Sequence, residues 1–131
     1  MVIDASAVFA ILRREPDAQC FAVAIEESTV RLMSAVTVLE CGIVARARKG
    51  DAGARDFDDF LAATSPKIVP FDADQAAIAR DAFVRFGKGQ HDAALNFGDC
   101  AVYALAASRV EPLLCKGGDF AATDLVLVRV A

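Results

Sequence analysis

Short apolar runs of strand length alternate along this chain with longer stretches of helical period, and that order limits the fold more than any other feature. Residues 1–4 form a brief apolar run closed by Asp4, and 5–14 then set Val8, Ile11 and Leu12 at helical spacing. Residues 17–28 read as a second helix, opened by an acid after Pro16, and 30–34 alternate as a strand. A long helix runs from there to about Lys49 and stops at Gly50. Another covers 51–64, with Phe57, Phe60 and Leu61 on one face. After the Ser65-Pro66 break, 67–71 read as a strand and 72–86 as a helix closed by Gly87. Residues 87–98 form a glycine-bearing ordered loop with a helical turn. A helix over 99–109, a short strand at 112–115 and a final strand at 125–130 complete the chain.

This order predicts an α/β fold with a mostly parallel central sheet and helices on both faces, a three-layer α/β/α arrangement. With 131 residues the chain makes one domain, 1–131. At 56% hydrophobic residues it is far from a disordered composition, and a mean hydropathy of +0.40 leaves an apolar surplus that fits either a partner face or buried alanine-rich helices. No apolar run nears the roughly 20 residues of a membrane helix. The N-terminus carries Asp4 where a signal peptide is apolar. Cys20, Cys41, Cys100 and Cys115 are scattered, with no C-x-x-C and no paired histidine, which argues against zinc and suits a reducing compartment. The expectation is a cytoplasmic protein with no membrane association. A formal charge of −4 gives no global positive field, which weighs against a simple DNA-binding module. It leaves room for an enzyme that holds nucleic acid through a metal ion and a local basic strip.

Right-handed crossovers place the working edge of such a sheet at the carboxyl ends of its strands. Four acids fall there: Asp4 closes the first strand, Glu40 lies in the first turns of the helix after the second, Asp99 opens a helix, and Asp119 sits in the turn after Leu113-Leu114. Each has a structural explanation. Asp4 and Asp99 suit helix caps, Thr37–Glu40 matches a capping box, and Asp119 can order the Gly117-Gly118 turn. Together they say more. Asp4 interrupts an apolar strand, Glu40 is in line with Val36 and Val44, and Asp99 shares a helix face with Val102, Tyr103 and Ala106. Interior acids near one sheet edge repel one another unless a cation compensates. An oxygen-only donor set selects a hard ion, Mg²⁺ or Mn²⁺.

The chain resembles a PIN-domain ribonuclease, in particular the VapC-type toxin of bacterial toxin–antitoxin pairs. The motifs run the whole length: Val2-Ile3-Asp4-Ala5-Ser6-Ala7, Val38-Leu39-Glu40, Gly87-Lys88-Gly89 with His91, Leu95-Asn96-Phe97-Gly98-Asp99-Cys100, and Pro112-Leu113-Leu114 followed by Lys116-Gly117-Gly118-Asp119-Phe120 and Thr123-Asp124. The resemblance implies a Mg²⁺-dependent endoribonuclease that cuts structured RNA of the tRNA or rRNA class. Asp4, Glu40, Asp99 and Asp119 would form its acidic metal pocket, Asp4 and Asp99 as direct ligands. Glu40 and Asp119 would bind through water or hold a second ion. Ser6 and Asn96 support the pocket, Asn96 by ordering its loop. Arg85, Lys88, Lys116 and His91 are candidates for RNA contact, with Arg46, Arg48 and Lys49 on one helix end. The resemblance also implies a VapB-type antitoxin in a hetero-oligomer, with a basic side chain near the acids. It further implies a homodimer through helices between about Val36 and Leu61, to which Phe57, Phe60 and Leu61 contribute.

Two other readings use the same residues. A phosphoacceptor receiver domain needs paired acids after the first strand, where Asp4 stands alone, and an acceptor ending a middle strand, a place open to Asp72. A non-catalytic interaction module accounts for the apolar surplus but not for interior acids. Gly117-Gly118-Asp119-Phe120 echoes a nucleotide-cyclase signature without the glutamate that should follow.

Overall fold

The sheet consists of β1 (Val2–Ile3), β2 (Leu32–Ser34), β3 (Lys67–Val69) and β4 (Leu113–Leu114), all parallel, in the order β3-β2-β1-β4. A computed structural model describes residues 1–130; Ala131, the last residue of the expected domain, lies outside them. Around the sheet stand α1 (Ala5–Leu12), α2 (Ala18–Glu27), α3 (Ala35–Thr64), α4 (Ala73–Phe86) and α5 (Phe97–Arg109).

Strand side chains alternate between the two faces, and each face has its own core. Val2, Leu32, Val69 and Leu113 pack with buried residues of α4 and α5, including Ala82, Val102 and Leu105. Ile3, Met33 and Leu114 pack on the other side with α1, α2 and α3 through Val8, Phe21, Ile25 and Cys41. Full burial of a side chain such as Ile3 or Leu114 is worth about 2 kcal/mol. The expected three layers are therefore present, with strands too short to bury anything without helices on both sides. Among the described residues no helix is long and apolar enough to cross a membrane.

The strand order puts a topological switch between β1 and β4. From β1 the chain moves outward through β2 and β3, then returns to the other side of β1. Crossovers leave in opposite directions at that point, so a crevice opens at the carboxyl ends of β1 and β4. Asp4 follows β1 there and Cys115 follows β4.

Several expectations change in detail. The two helices expected to either side of Gly50 form one element, α3, with a kink at Lys49 and Gly50 where the backbone leaves helical values. Residues 125–130 do not form a strand: they add one bridge, Leu113 to Leu127, because β4 offers only two residues to pair with. The helix expected at Asp99 begins at Phe97 and is capped by Asn96. Ser34, not Thr37, caps α3, so Glu40 lies too far along for the capping box considered for it. Asp72 caps α4 by accepting the Gln75 N–H at 2.9 Å, beyond the edge strand β3, which removes the acceptor position a receiver domain requires. Phe57 and Phe60 are 3% and 7% exposed, packed into the chain's own core. They are not free to form a dimer face; the exposed large apolar residues of α3 are Leu39 and Ile43.

Candidate active site

Asp4 is the centre of the crevice. Extended at φ −83° and ψ 155°, it ends β1 and caps α1. Its backbone N–H reaches the Leu114 carbonyl at 3.0 Å, which fastens it to β4. Its Oδ2 accepts the Ser6 N–H at 3.0 Å and also the Ser6 hydroxyl. The carboxylate is only 6% exposed. Burial raises its pKa above the ordinary range, hydrogen bonds from Ser6 and Ala5 pull against that rise, and the charge of Asp119 adds to it.

Ser6 is the hinge between the two strand ends. Its hydroxyl donates to Asp4 and accepts the Lys116 backbone N–H at 2.9 Å, so it supports Asp4 and fixes the start of the Asp119 turn. Glu40, half-buried on α3, is raised by burial and by the charge of Asp4. It packs on Gly98: a Cβ there would stand 2.6 Å from Glu40 Oε2, so only glycine lets the carboxylate approach the start of α5.

Asp99 occupies the third position of α5 in a reciprocal cap. Its Oδ2 accepts the Asn96 N–H at 3.1 Å, and Asn96 Oδ1 accepts the Asp99 N–H at 2.9 Å. Asn96 thus orders the backbone, the role expected of it. The pKa of Asp99 is raised to about 6, first by burial, with Asp4, Asp119 and Glu40 adding to the rise and the Asn96 N–H opposing it. Asp119 lies exposed in the turn after β4.

The structure therefore brings Asp4 and Asp99 within electrostatic reach of each other and of both Glu40 and Asp119. Among the described residues, no three His, Cys, Asp or Glu side chains converge as tightly as the ligands of an ion. The donor set suits a hard divalent cation: it is all oxygen, and its charge is uncompensated. The Cys115 thiol is pushed up to about 11 by burial and by Asp4, Asp119 and Asp99, and that of Cys41 to about 12 by burial, Glu40 and Asp4.

The four candidates for RNA contact divide into two pairs. Lys88 and His91 are exposed; His91 Nδ1 accepts the Ala93 N–H at 3.0 Å and the ring meets Phe86 edge-on. Arg85 and Lys116 are already engaged. Arg85 pairs with Asp124 at 3.0 Å, and Lys116 Nζ bridges Glu15 and, at 2.9 Å, Asp17. Arg46 pairs with Asp51 at 2.7 Å. Two residues near the site escaped the sequence reading. Gly98 could have been found as the small residue immediately before Asp99. Thr37, one turn before Glu40, reads from sequence only as a helix cap; its buried hydroxyl has no hydrogen-bond partner among the described residues.

Residues 1–125 match the family model described as PIN domain. The chain is 48% identical over 128 residues to the ribonuclease VapC of Mycolicibacterium smegmatis, covering 98% of this chain and 99% of that one. It is 47% identical over 128 residues to ribonuclease VapC30 of Mycobacterium tuberculosis, covering 98% of each. Among solved structures it is similar to VapC20 of Mycobacterium tuberculosis, described as a sarcin-ricin loop cleaving toxin, with a TM-score of 0.79 at 20% identity over 98% of both chains. It is also similar to VapBC2 from Rickettsia felis bound to a promoter DNA fragment, with a TM-score of 0.76 at 13% identity over 99% of this chain and 98% of that one.

Proposed function

The chain belongs to the PIN-domain family, among its VapC ribonucleases, and from that premise we propose that it is the toxin of a toxin–antitoxin pair, a Mg²⁺- or Mn²⁺-dependent endoribonuclease that hydrolyses phosphodiester bonds in structured RNA. What supports this reading is the placement of Asp4, Glu40, Asp99 and Asp119 at the carboxyl-end side of β1 and β4, near enough that the charges of Asp4, Asp119 and Glu40 add to the raised pKa of Asp99.

Asp4 and Asp99 would hold the ion, with Glu40 and Asp119 completing its acidic surroundings. When bound, the ion neutralises charge on the phosphate oxygens and makes water at the site more acidic. The chain's own residues do the rest. Ser6 fixes the rotamer of Asp4 and keeps one of its oxygens hydrogen-bonded. The Asn96 cap holds Asp99 at the first turn of α5. Lys88 and His91, exposed in the loop before α5, meet the RNA backbone. With a formal charge of −4, the molecule draws on this local strip and the ion, not a global field, to bind RNA.

The partners follow from the same site. A VapB-type antitoxin lays a segment across the crevice and places an arginine against the acids, where a guanidinium suits paired carboxylates. Two copies of the chain pair through the outward face of α3, where Leu39 and Ile43 are 64% and 60% exposed. The four cysteines are free thiols, in keeping with action in the cytoplasm. The test is cleavage of a folded RNA substrate. Wild type with Mg²⁺ cuts it, whereas wild type with EDTA and Asp99→Asn with Mg²⁺ do not. Cleavage by Asp99→Asn at the wild-type rate overturns the assignment.

A further inference from the structure

Asp119 stands in a turn whose shape its own side chain does nothing to fix: among the described residues its carboxylate accepts no hydrogen bond. Gly117, at φ 96°, and Gly118 precede it, so the chain between β4 and Asp119 is free to swing unless held at both ends. At the near end Lys116 donates its N–H to Ser6 and its ammonium to Glu15 and Asp17. Beyond Asp119 the chain is a stiff cassette. Ala121 N–H bonds to Gly118 C=O, Thr123 N–H and hydroxyl both bond to Phe120 C=O, and the Phe120 ring is buried. Phe120 anchors that cassette in the core, and its far end is the second point that fixes how it, and Asp119 with it, is oriented.

Asp124 is that end. Its Oδ1 accepts the Tyr103 hydroxyl from α5 at 2.6 Å, and its Oδ2 accepts Arg85 from α4 at 3.0 Å. Arg85 also reaches the Tyr103 oxygen at 3.3 Å, which closes a three-membered ring of hydrogen bonds. The Tyr103 ring is fixed in the core beside Phe86, so its hydroxyl is presented from a rigid base. A charge-assisted bond of that length outweighs the exposed Arg85–Asp124 ion pair. We propose that Tyr103 and Asp124, with Arg85 behind them, are positioning residues that hold the Asp119 turn over the acidic crevice. The proposal rests on the reading of Asp119 as part of the ion site. It also gives Arg85 an internal task in place of the RNA contact expected from sequence.

Tyr103→Phe removes only the hydroxyl and keeps the ring. Calorimetric titration of the RNA-free chain with Mn²⁺, with urea unfolding alongside, separates a positioning role from a purely structural one. Asp119→Asn is expected to weaken Mn²⁺ binding by about tenfold, and Tyr103→Phe by a similar factor, the usual cost of losing a group that orients a ligand. The double variant should bind no more weakly than Asp119→Asn alone, while the stability lost with the hydroxyl is the same in both backgrounds. Asp124→Asn and the surface change Arg85→Gln should follow Tyr103→Phe, Arg85→Gln more weakly. Hydrogen exchange at amides 117–122 should accelerate in Tyr103→Phe. Unchanged Mn²⁺ affinity in Tyr103→Phe, or an equal loss with and without Asp119, overturns the positioning role. Unchanged affinity in Asp119→Asn overturns instead the assignment of Asp119 to the site, and the clasp's role with it.

Discussion

Ser6 gives both its backbone N–H and its hydroxyl to a single oxygen of Asp4, Oδ2. A buried carboxylate two positions before its partner is thereby held in one rotamer, by local contacts that form as soon as α1 does. The hydroxyl also takes the Lys116 N–H, so one small side chain joins the ends of two neighbouring strands.

Ser6→Ala should therefore destabilise the chain by about 2 kcal/mol, the value of a hydrogen bond to a charged group. The loss depends on pH. A neutral Asp4 needs the donor less than an ionised one, so denaturant unfolding should show a larger loss at high pH than in acid. An equal loss at both would mean that the hydroxyl serves Lys116 and not the carboxylate.

The raised carboxylates fix the sign of the pH dependence of the ion-free chain. A carboxyl whose folded pKa lies above its ordinary value stabilises the fold while protonated. Its contribution is fully present below the ordinary value and lost as pH rises through the folded one. For Asp99 that window runs from 3.8 to about 6, and Asp4 and Glu40 act in the same direction. Asp124, lowered first by its Tyr103 hydrogen bond, has the opposite sign and lies below this window. Thermal melts in EDTA should thus fall in midpoint across the window, and Asp99→Asn should flatten the fall. Mg²⁺ added above the window should raise the wild-type midpoint and leave Asp99→Asn nearly unmoved. A wild type indifferent to both pH and Mg²⁺ would remove the physical basis of the pocket.

Gly98→Ala tests the approach of Glu40 to α5. The added methyl would collide with Glu40 Oε2, the far end of a flexible side chain, so Glu40 turns away and the backbone stays in place. Alanine favours the helix by about 1 kcal/mol over glycine, which offsets what the displaced carboxylate loses. Unfolding should change little while RNA cleavage falls by about tenfold or more. Cleavage at the wild-type rate would show that Glu40 does not act from this position.

The acids of the crevice were legible because sequence order alone places strand ends together, and Asp4, Glu40 and Asp99 each interrupt an apolar pattern. The local cap was not. Asp99 and Asn96 both suit a helix start, and only geometry shows that Asn96 is the cap and Asp99 its reciprocal partner. Residues 125–130 alternate as a strand does, and their side chains do divide between the two cores, but pairing needs a neighbour longer than β4. Arg85 and Lys116 read as free cations because the acids that bond them most closely lie 39 and about 100 residues away in the chain, although Asp81, one turn before Arg85, pairs with it more loosely at 3.6 Å. Phe57 and Phe60 misled for a related reason. A helical apolar stripe announces burial, not whether the covering surface belongs to the same chain.

That distinction sets the last prediction, the mode of self-association. With Phe57 and Phe60 in the core, the outward face of α3 keeps Leu39 and Ile43, four residues apart on one side of the helix and both mostly exposed. Glu40 lies between them in sequence and packs on Gly98, so this apolar face borders the acidic crevice. Phe97, 83% exposed, starts α5 beside Gly98. A second copy that covered these residues would bury apolar area and enclose the crevice at once, and their exposure has no use in an isolated chain. Light scattering on the purified chain should give the mass of a dimer. Ile43→Asp should give a monomer with a nearly unchanged urea midpoint, because the side chain is mostly exposed. Cleavage should drop with dissociation in Ile43→Asp even though no acid has changed. A wild-type monomer at all concentrations would end the dimer reading, and a dimer that survives Ile43→Asp would move the interface off this face of α3.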